Sequence, residues 1–305
     1  MRVGMVGLGK MGGNMALRLV RAGHEVVGFD LDPAAVSAAA DAGVGPSGSL
    51  AELAAALEPP RAVWMMVPAG PAVDATIGGL LAHLAPGDVV VDGGNSYYKD
   101  TRRRSHACNE AGIQLVDAGT SGGVWGLTDG YSLMVGGDEE AVERLRPVFA
   151  ALAPGPETGW GRVGPTGAGH FVKMVHNGIE YGLMQAYAEG FAVLRAKDEL
   201  DLDLHAIAEI WRFGSVVRSW LLDIISDVLA ADASLADVAP YVPDSGEGRW
   251  TVFEAIDLDV PTPVIALALM RRLTSRDEVA YADRLLSAMR GGFGGHAIRK
   301  TGEAL

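Results

Sequence analysis

Val3-Gly4-Met5-Val6-Gly7-Leu8-Gly9-Lys10-Met11-Gly12-Gly13-Asn14 opens the chain with an apolar run, a G-x-G-x-x-G turn and the start of an amphipathic pattern. The spacing alone is weak in a chain with 41 glycines. Its setting gives it force: a strand pattern precedes it and a helix pattern follows, so each glycine has a physical task. Gly7 permits the tight turn, Gly9 lets backbone approach a pyrophosphate, and Gly12 lets helix and strand pack closely. The helix N-terminus then presents its free amides to the phosphates.

Asp30 closes the second apolar run, about 20 residues on, where a carboxylate can accept both ribose hydroxyls of NAD. It would repel the 2′-phosphate of NADP, and the next residue is Leu31 rather than an arginine. NAD is therefore the expected cofactor, with NADP less favoured. Asp32 is available to cap the helix beginning at Pro33. Residues 2–7, 25–30, 62–67, 88–92 and 113–117 each read as a short buried strand, and a further strand is expected at 131–135. Helical patterns fall at 11–22, 33–42, 49–57 and 96–111, and Ser49 with Glu52 forms a candidate capping box. The alternation predicts a mostly parallel sheet covered by helices on both faces.

Pro154-Gly155-Pro156 and Gly164-Pro165-Thr166-Gly167 punctuate the chain, and beyond them the strand patterns stop. Residues 168–196 read as one long helix, followed by helices at 204–213, 217–230, 250–256 and 263–289 and a glycine-rich tail. The fold class is thus α/β, a Rossmann-type N-terminal domain (1–165), followed by an all-α domain (166–289) and a C-terminal tail (290–305).

Composition narrows the function. The formal charge of −13 argues against nucleic acid or an anionic membrane as partner. An anionic substrate must then be met by locally clustered cations. A single cysteine, Cys108, excludes an intrachain disulfide and a thiolate metal cluster, reads as a buried thiol, and points to the cytoplasm. Glycines 7, 9, 12 and 13 interrupt the apolar run that a secretory signal would need, and no stretch is long enough to span a membrane. His24, His83, His106 and His205 lack metal-ligand spacing, and no metal is expected.

The most informative chemistry lies in Gly167-Ala168-Gly169-His170-Phe171-Val172-Lys173-Met174-Val175-His176-Asn177-Gly178-Ile179-Glu180-Tyr181. On a helix, Lys173, His176, Asn177 and Glu180 share one face. Lys173 and Glu180 stand roughly 10 Å apart along the axis, the scale of a six-carbon chain. Interior Gly178 and Gly182 each cost about 1 kcal/mol relative to alanine, which asks for a packing or binding reason. Asp92-Gly93-Gly94-Asn95-Ser96 and Thr120-Ser121-Gly122-Gly123 each follow a strand, where ligands of doubly wound sheets bind.

These segments, in this order, resemble the 6-phosphogluconate dehydrogenase family, in its short bacterial form. The run from His176 to Tyr181 separates it from the wider β-hydroxyacid dehydrogenase superfamily, which shares the fold, the serine-glycine-glycine turn and the lysine. The resemblance implies oxidative decarboxylation of 6-phosphogluconate to ribulose 5-phosphate and CO2. Lys173 would be the general base at the C3 hydroxyl, a role that requires a lysine pKa lowered by burial, and Glu180 would protonate C1 of the enediol. Asn95, Ser121, Gly122, Gly123, His176 and Asn177 would orient the sugar acid, with Tyr181 reaching toward its phosphate. Arg271 matches a phosphate-binding arginine of the helical domain, and Arg290 and His296 match a pair donated by a partner subunit's tail. The implied cofactor-binding set is Gly7, Leu8, Gly9, Lys10, Met11, Gly12, Asp30, Val67 and Asn95.

Two departures stand out. Where longer members carry a Lys-Gly-Thr-Gly-Lys-Trp-Thr-like segment, this chain has Ser245-Gly246-Glu247-Gly248-Arg249-Trp250-Thr251. Either Glu247 points away from the phosphate or Arg249 compensates for it. The chain is also too short for the duplicated helical domain of the long form, so a homodimer or homotetramer with shared sites is expected. Two rival readings remain at this point. A non-decarboxylating β-hydroxyacid dehydrogenase would not need Glu180, Arg271, Arg290 or His296. A non-enzymatic NAD sensor would not need a lysine and a glutamate on one helical face.

Overall fold

β1 (Arg2–Val6) is buried on both faces: Val3 and Met5 join one core cluster and Val6 the other. That two-sided burial is why a near-continuous apolar run becomes a central strand of a parallel sheet. The computed structural model describes residues 1–294, with side chains to residue 290. The chain divides into two compact units, Met1–Asn177 and Gly178–Leu305.

In the first unit, β1 is followed by α1 (Lys10–Arg21), β2 (Glu25–Phe29), α2 (Pro33–Asp41), β3 (Gly45–Pro46), α3 (Leu50–Ala55) and β4 (Ala62–Met65). Next come α4 (Pro71–Leu81), β5 (Val89–Asp92), α5 (Tyr98–Glu110), β6 (Gln114–Ser121), a short α6 (Gly126–Asp129) and β7 (Ser132–Gly136). The unit continues through α7 (Glu139–Arg144), α8 (Arg146–Leu152) and β8 (Trp160–Gly164) into the first turns of α9 (Ala168–Arg195). The strands lie in the order β3-β2-β1-β4-β5-β6-β7-β8, parallel except for the β6–β7 pair. The order reverses between β1 and β4, which opens a crevice beyond their carboxyl ends.

Period-2 alternation sorts each strand between two cores. Trp64, Val89 and Val91 face one layer, while Val63, Met65 and Val90 face the other, where Cys108 of α5 packs. Several elements lie outside the expected patterns, the short α6 among them. The edge strand β3 is only two residues, β8 is a glycine-flanked run beside β7, and α4 carries Gly78 and Gly79. A Cβ on Gly79 would lie 2.7 Å from Leu50 Cδ1, the far end of a flexible side chain. The capping box is shifted: Ser49 Oγ accepts from the Glu52 N–H, but the Glu52 carboxylate reaches back to the Gly48 N–H.

The second unit holds the rest of α9 with α10 (Leu204–Arg212), α11 (Trp220–Ala231), α12 (Glu247–Asp257), α13 (Pro263–Thr274) and α14 (Tyr281–Gly294). Phe191, Ala208, Leu222 and Leu229 form one small core, and Tyr181, Val252, Ala268 and Leu269 form a second. The single helix expected over 263–289 is instead two, α13 and α14. The Asp277 carboxylate accepts the N–H groups of Val279 and Ala280, and Ala280 takes a left-handed φ of 48°, which ends one helix and starts the next.

Candidate active site

The crevice at the switch point is a cavity of about 710 Å³. Gly7, Gly9, Lys10, Met11 and Gly12 line it on the β1 side, with Met66, Val67 and Pro68 beyond β4 and Gly93, Gly94, Asn95 and Thr120 beyond β5 and β6. The fingerprint glycines are needed here for distinct reasons. Gly7 has φ +90°, and a Cβ on Gly12 would lie 1.9 Å from the Gly7 carbonyl oxygen. A Cβ on Gly9 would meet nothing within 4 Å, because that position faces the open cavity. No side chain caps α1, so its first amides remain available to a bound anion.

Asp30 stands at the same rim and organises it. One carboxylate oxygen accepts the Leu8 N–H at 2.6 Å and the other the Asp32 N–H at 2.8 Å. Each oxygen keeps a lone pair for a ribose hydroxyl. Asp32 takes the cap role, accepting from Ala34 at the start of α2. Leu31 is 91% exposed beside Asp30, so no cation is supplied at that position. The residues present fit a pyrophosphate-linked dinucleotide: free amides for the phosphates, a carboxylate for a ribose, and an apolar floor.

A second construction sits at the junction of β6 and α9. Lys173 is buried, 5% exposed, with Nζ 3.4 Å from His176 Nδ1, and that nitrogen lies 3.0 Å from Asn177 Oδ1. Gly119 faces the lysine stem, and its neighbour Thr120 lines the dinucleotide cavity. Thr120 donates toward the Gly93 carbonyl oxygen at 3.2 Å, which ties the β6 end to the Asp92–Ser96 loop. Asp92, 1% exposed, folds that loop by accepting the Gly94 N–H and the Ser96 hydroxyl. Asn95 is exposed at its tip. In the Ser121-Gly122-Gly123 turn, both glycines have positive φ, 134° and 51°, a backbone that side chains rarely adopt.

In the second unit a polar cluster gathers around Asp244, whose side chain is 2% exposed. Arg249 donates to it from Nε and Nη2 at 3.1 and 2.7 Å, Gly246 donates its N–H, and the Tyr181 hydroxyl lies at 3.3 Å. Burial alone would raise the Asp244 carboxyl, but hydrogen bonds from Arg249 and Gly246 outweigh it and hold it below the usual carboxylate range. The Arg272 guanidinium stacks 3.5 Å from the Tyr181 ring centre, and Gly248 lets that ring approach closely. Glu247 is turned inward, 5% exposed, and accepts the Ser245 hydroxyl.

Residues 2–162 match the family model for the NAD binding domain of 6-phosphogluconate dehydrogenase, and residues 169–288 match that for the 6-phosphogluconate dehydrogenase C-terminal domain. The chain belongs to the 6-phosphogluconate dehydrogenase family. It is 48% identical over 301 residues to the NAD(+)-dependent, decarboxylating 6-phosphogluconate dehydrogenase of Haloferax volcanii, covering 98% of this chain and 99% of that one. It is 38% identical over 303 residues to the NADP(+)-dependent enzyme of Bacillus subtilis, covering 94% of this chain and 64% of that one. Its fold superposes on 6-phosphogluconate dehydrogenase of Plasmodium falciparum with a TM-score of 0.83 at 29% identity, across 100% of this chain and 68% of that one.

Within the 6-phosphogluconate dehydrogenase frame, the cofactor residues expected from sequence divide by role. Gly7, Gly9, Lys10, Met11, Gly12, Asp30, Val67 and Asn95 line the cavity, whereas Leu8 is buried and contributes its N–H to Asp30. Lys173, His176 and Asn177 come together in the first unit. Glu180 is half-buried one turn beyond them along α9. Arg271 is exposed on α13, and its neighbour Arg272 is the arginine that covers Tyr181. Arg290 is exposed on α14, and His296 lies outside the described residues. Asp117, Gly119, Asp244 and Arg272 were not among the site residues expected from the sequence. For Asp117 and Asp244 the signal would have been a carboxylate beside a glycine-rich segment, which is common in loops and unspecific by itself.

Proposed function

We propose that this chain catalyses the oxidative decarboxylation of 6-phosphogluconate to ribulose 5-phosphate and CO2, with NAD preferred over NADP. The observation that carries the reading is Lys173, buried on Gly119 beside a cavity fitted to a dinucleotide. NAD bound there supplies the acceptor for the hydride of C3. Lys173 takes the proton of the C3 hydroxyl as that oxygen becomes a ketone, and its ammonium then faces the oxygen on which charge gathers as CO2 leaves. Glu180 returns a proton to C1 of the enediol. Asn95, Ser121, Gly122, Gly123, His176 and Asn177 orient the chain of hydroxyls. Tyr181, Arg271, Arg290 and His296 meet the phosphate.

The NAD preference is supported by Asp30 and by an uncharged Leu31 at the ribose rim. A homodimer or homotetramer with shared sites is supported by the apolar side chains that the helical unit exposes, among them Phe213, Val216 and Ile210 at 74, 100 and 69%. A cytoplasmic setting is supported by the lone buried Cys108. Among the described residues, no helix is long and apolar enough to cross a membrane.

Substrate competition tests the reading. Purified protein is offered 6-phosphogluconate, gluconate and 3-hydroxyisobutyrate with NAD. Turnover confined to the phosphorylated acid is expected, and preferential turnover of 3-hydroxyisobutyrate overturns the assignment.

A further inference from the structure

We propose that Asp117 and Gly119, alternate residues of β6, form a seat that positions Lys173, Gly119 by having no side chain and Asp117 by anchoring the first turn of α9. The proposal rests on the reading of Lys173 as the general base. Residues two apart on a strand face the same side of the sheet, so both point at α9. The Asp117 carboxylate is fully buried and holds the helix start at two points, accepting the Gly167 N–H at 2.6 Å and the His170 N–H at 2.8 Å. It satisfies amides that a helix N-terminus leaves free and places negative charge at the positive end of the dipole.

The packing around this anchor leaves no slack. A Cβ on Gly136, the β7 partner of Asp117, would lie 2.6 Å from the Asp117 carboxylate and 2.7 Å from the Gly169 nitrogen. A Cβ on Gly169 would lie 2.3 Å from the Met134 carbonyl oxygen. One turn further along α9, a Cβ on Gly119 would lie 2.4 Å from the Lys173 Cβ and 2.8 Å from the Gly169 carbonyl oxygen. The obstructed atoms are the root of the lysine and helix backbone, not the far end of a flexible chain. His170, whose side chain is fully buried, adds a tie to α5, with Nδ1 2.7 Å from the Thr101 hydroxyl. The lysine is therefore set by contacts made at the base of its helix, and neither Asp117 nor Gly119 has to touch substrate.

Gly119→Ala tests the seat, with Lys173→Met read in parallel. The measurements are NADH binding by fluorescence titration, which counts folded sites, and kcat per bound site. A displacement near 1 Å is enough to cost about 100-fold in rate, so Gly119→Ala is expected to lose at least about tenfold in kcat per site while NADH affinity stays within about twofold. A purely structural glycine would lower the number of binding sites and leave kcat per site unchanged, which overturns the proposal, as does wild-type behaviour on both counts. If Gly119→Ala yields no NADH-binding protein, the same split is read on Asp117→Asn, which keeps side-chain volume but turns an amide toward one of the two N–H groups. Wild-type turnover by Lys173→Met removes the general-base reading and the seat with it. An inactive Lys173→Met beside an unaffected Gly119→Ala removes the seat alone.

Discussion

Replacing Gly12 by alanine puts the dinucleotide site under a defined strain. The added Cβ would lie 1.9 Å from the Gly7 carbonyl oxygen and 3.0 Å from the Met66 Cβ, where real Cβ contacts essentially never fall below 3.0 Å. The α1 terminus must therefore retreat by about 1 Å from the β1 turn, and an amide–phosphate hydrogen bond of about 2.9 Å lengthens beyond its useful range. A hydrogen bond to a charged group contributes about 1.5–3 kcal/mol, so losing one weakens NAD binding by about 10- to 150-fold. The same displacement disturbs helix–strand packing, so the thermal midpoint falls by several degrees. Gly9→Ala is the control. Its Cβ meets no protein atom within 4 Å, so it leaves the midpoint unchanged and weakens only NAD binding. Fluorescence titration with NADH and thermal unfolding give both numbers. Wild-type NADH affinity in Gly12→Ala refutes the assignment of this turn as the pyrophosphate cradle.

Other consequences follow from the same structure. Leu31→Arg, at a position 91% exposed, adds a cation where the 2′-phosphate of NADP would lie and is expected to raise kcat/KM for NADP about fivefold without changing stability. An unchanged NADP/NAD ratio contradicts the placement of the ribose at Asp30. Burial pushes the Cys108 thiol up to about 11, so native protein should resist thiol reagents near neutral pH and react only as it unfolds. Rapid stoichiometric labelling of the native enzyme contradicts this. Asp74, on α4 and turned toward α5, is pulled down to about 2 by the hydrogen bond from Arg104, with Arg103 adding to it. Its folded pKa lies below the ordinary 3.8, so the stability it contributes is present above that value and is lost as pH falls through about 2. The melting difference between wild type and Asp74→Asn should be full near neutral pH and close between about pH 4 and pH 2, and a difference that widens toward acid refutes the pairing.

What could be read in the sequence was local. The fingerprint turn, Asp30 and the valine-rich strands announce themselves within about 30 residues, because each is decided by its own periodicity and turn chemistry. The elements that escaped were decided from elsewhere. Helix α4 carries Gly78 and Gly79, poor helix formers, and is held by Val73, Ile77 and Leu80 packed into the core. The break between α13 and α14 rests on one aspartate side chain, Asp277, in a run that otherwise reads as an exposed helical face. The same limit held at the site. Lys173, His176 and Asn177 share a helical face and could be grouped by spacing alone. Asp117 reaches Gly167 and His170 across 50 and 53 residues, a pairing that no window along the chain contains. Glu247 looked like a liability for phosphate, and its inward turn onto Ser245 depends on the local fold of 244–249. That Arg272, and not the expected phosphate arginine Arg271, covers Tyr181 likewise depends on the rotation of α13.

The proposed chemistry couples oxidation to decarboxylation, and the ratio of reduced cofactor to released CO2 measures that coupling directly. Purified protein with 6-phosphogluconate and NAD is followed by absorbance while CO2 is trapped from the same vessel. Equimolar NADH and CO2 are predicted. NADH formed without CO2 would contradict this coupling and reassign the chain's chemistry to simple hydroxyacid oxidation.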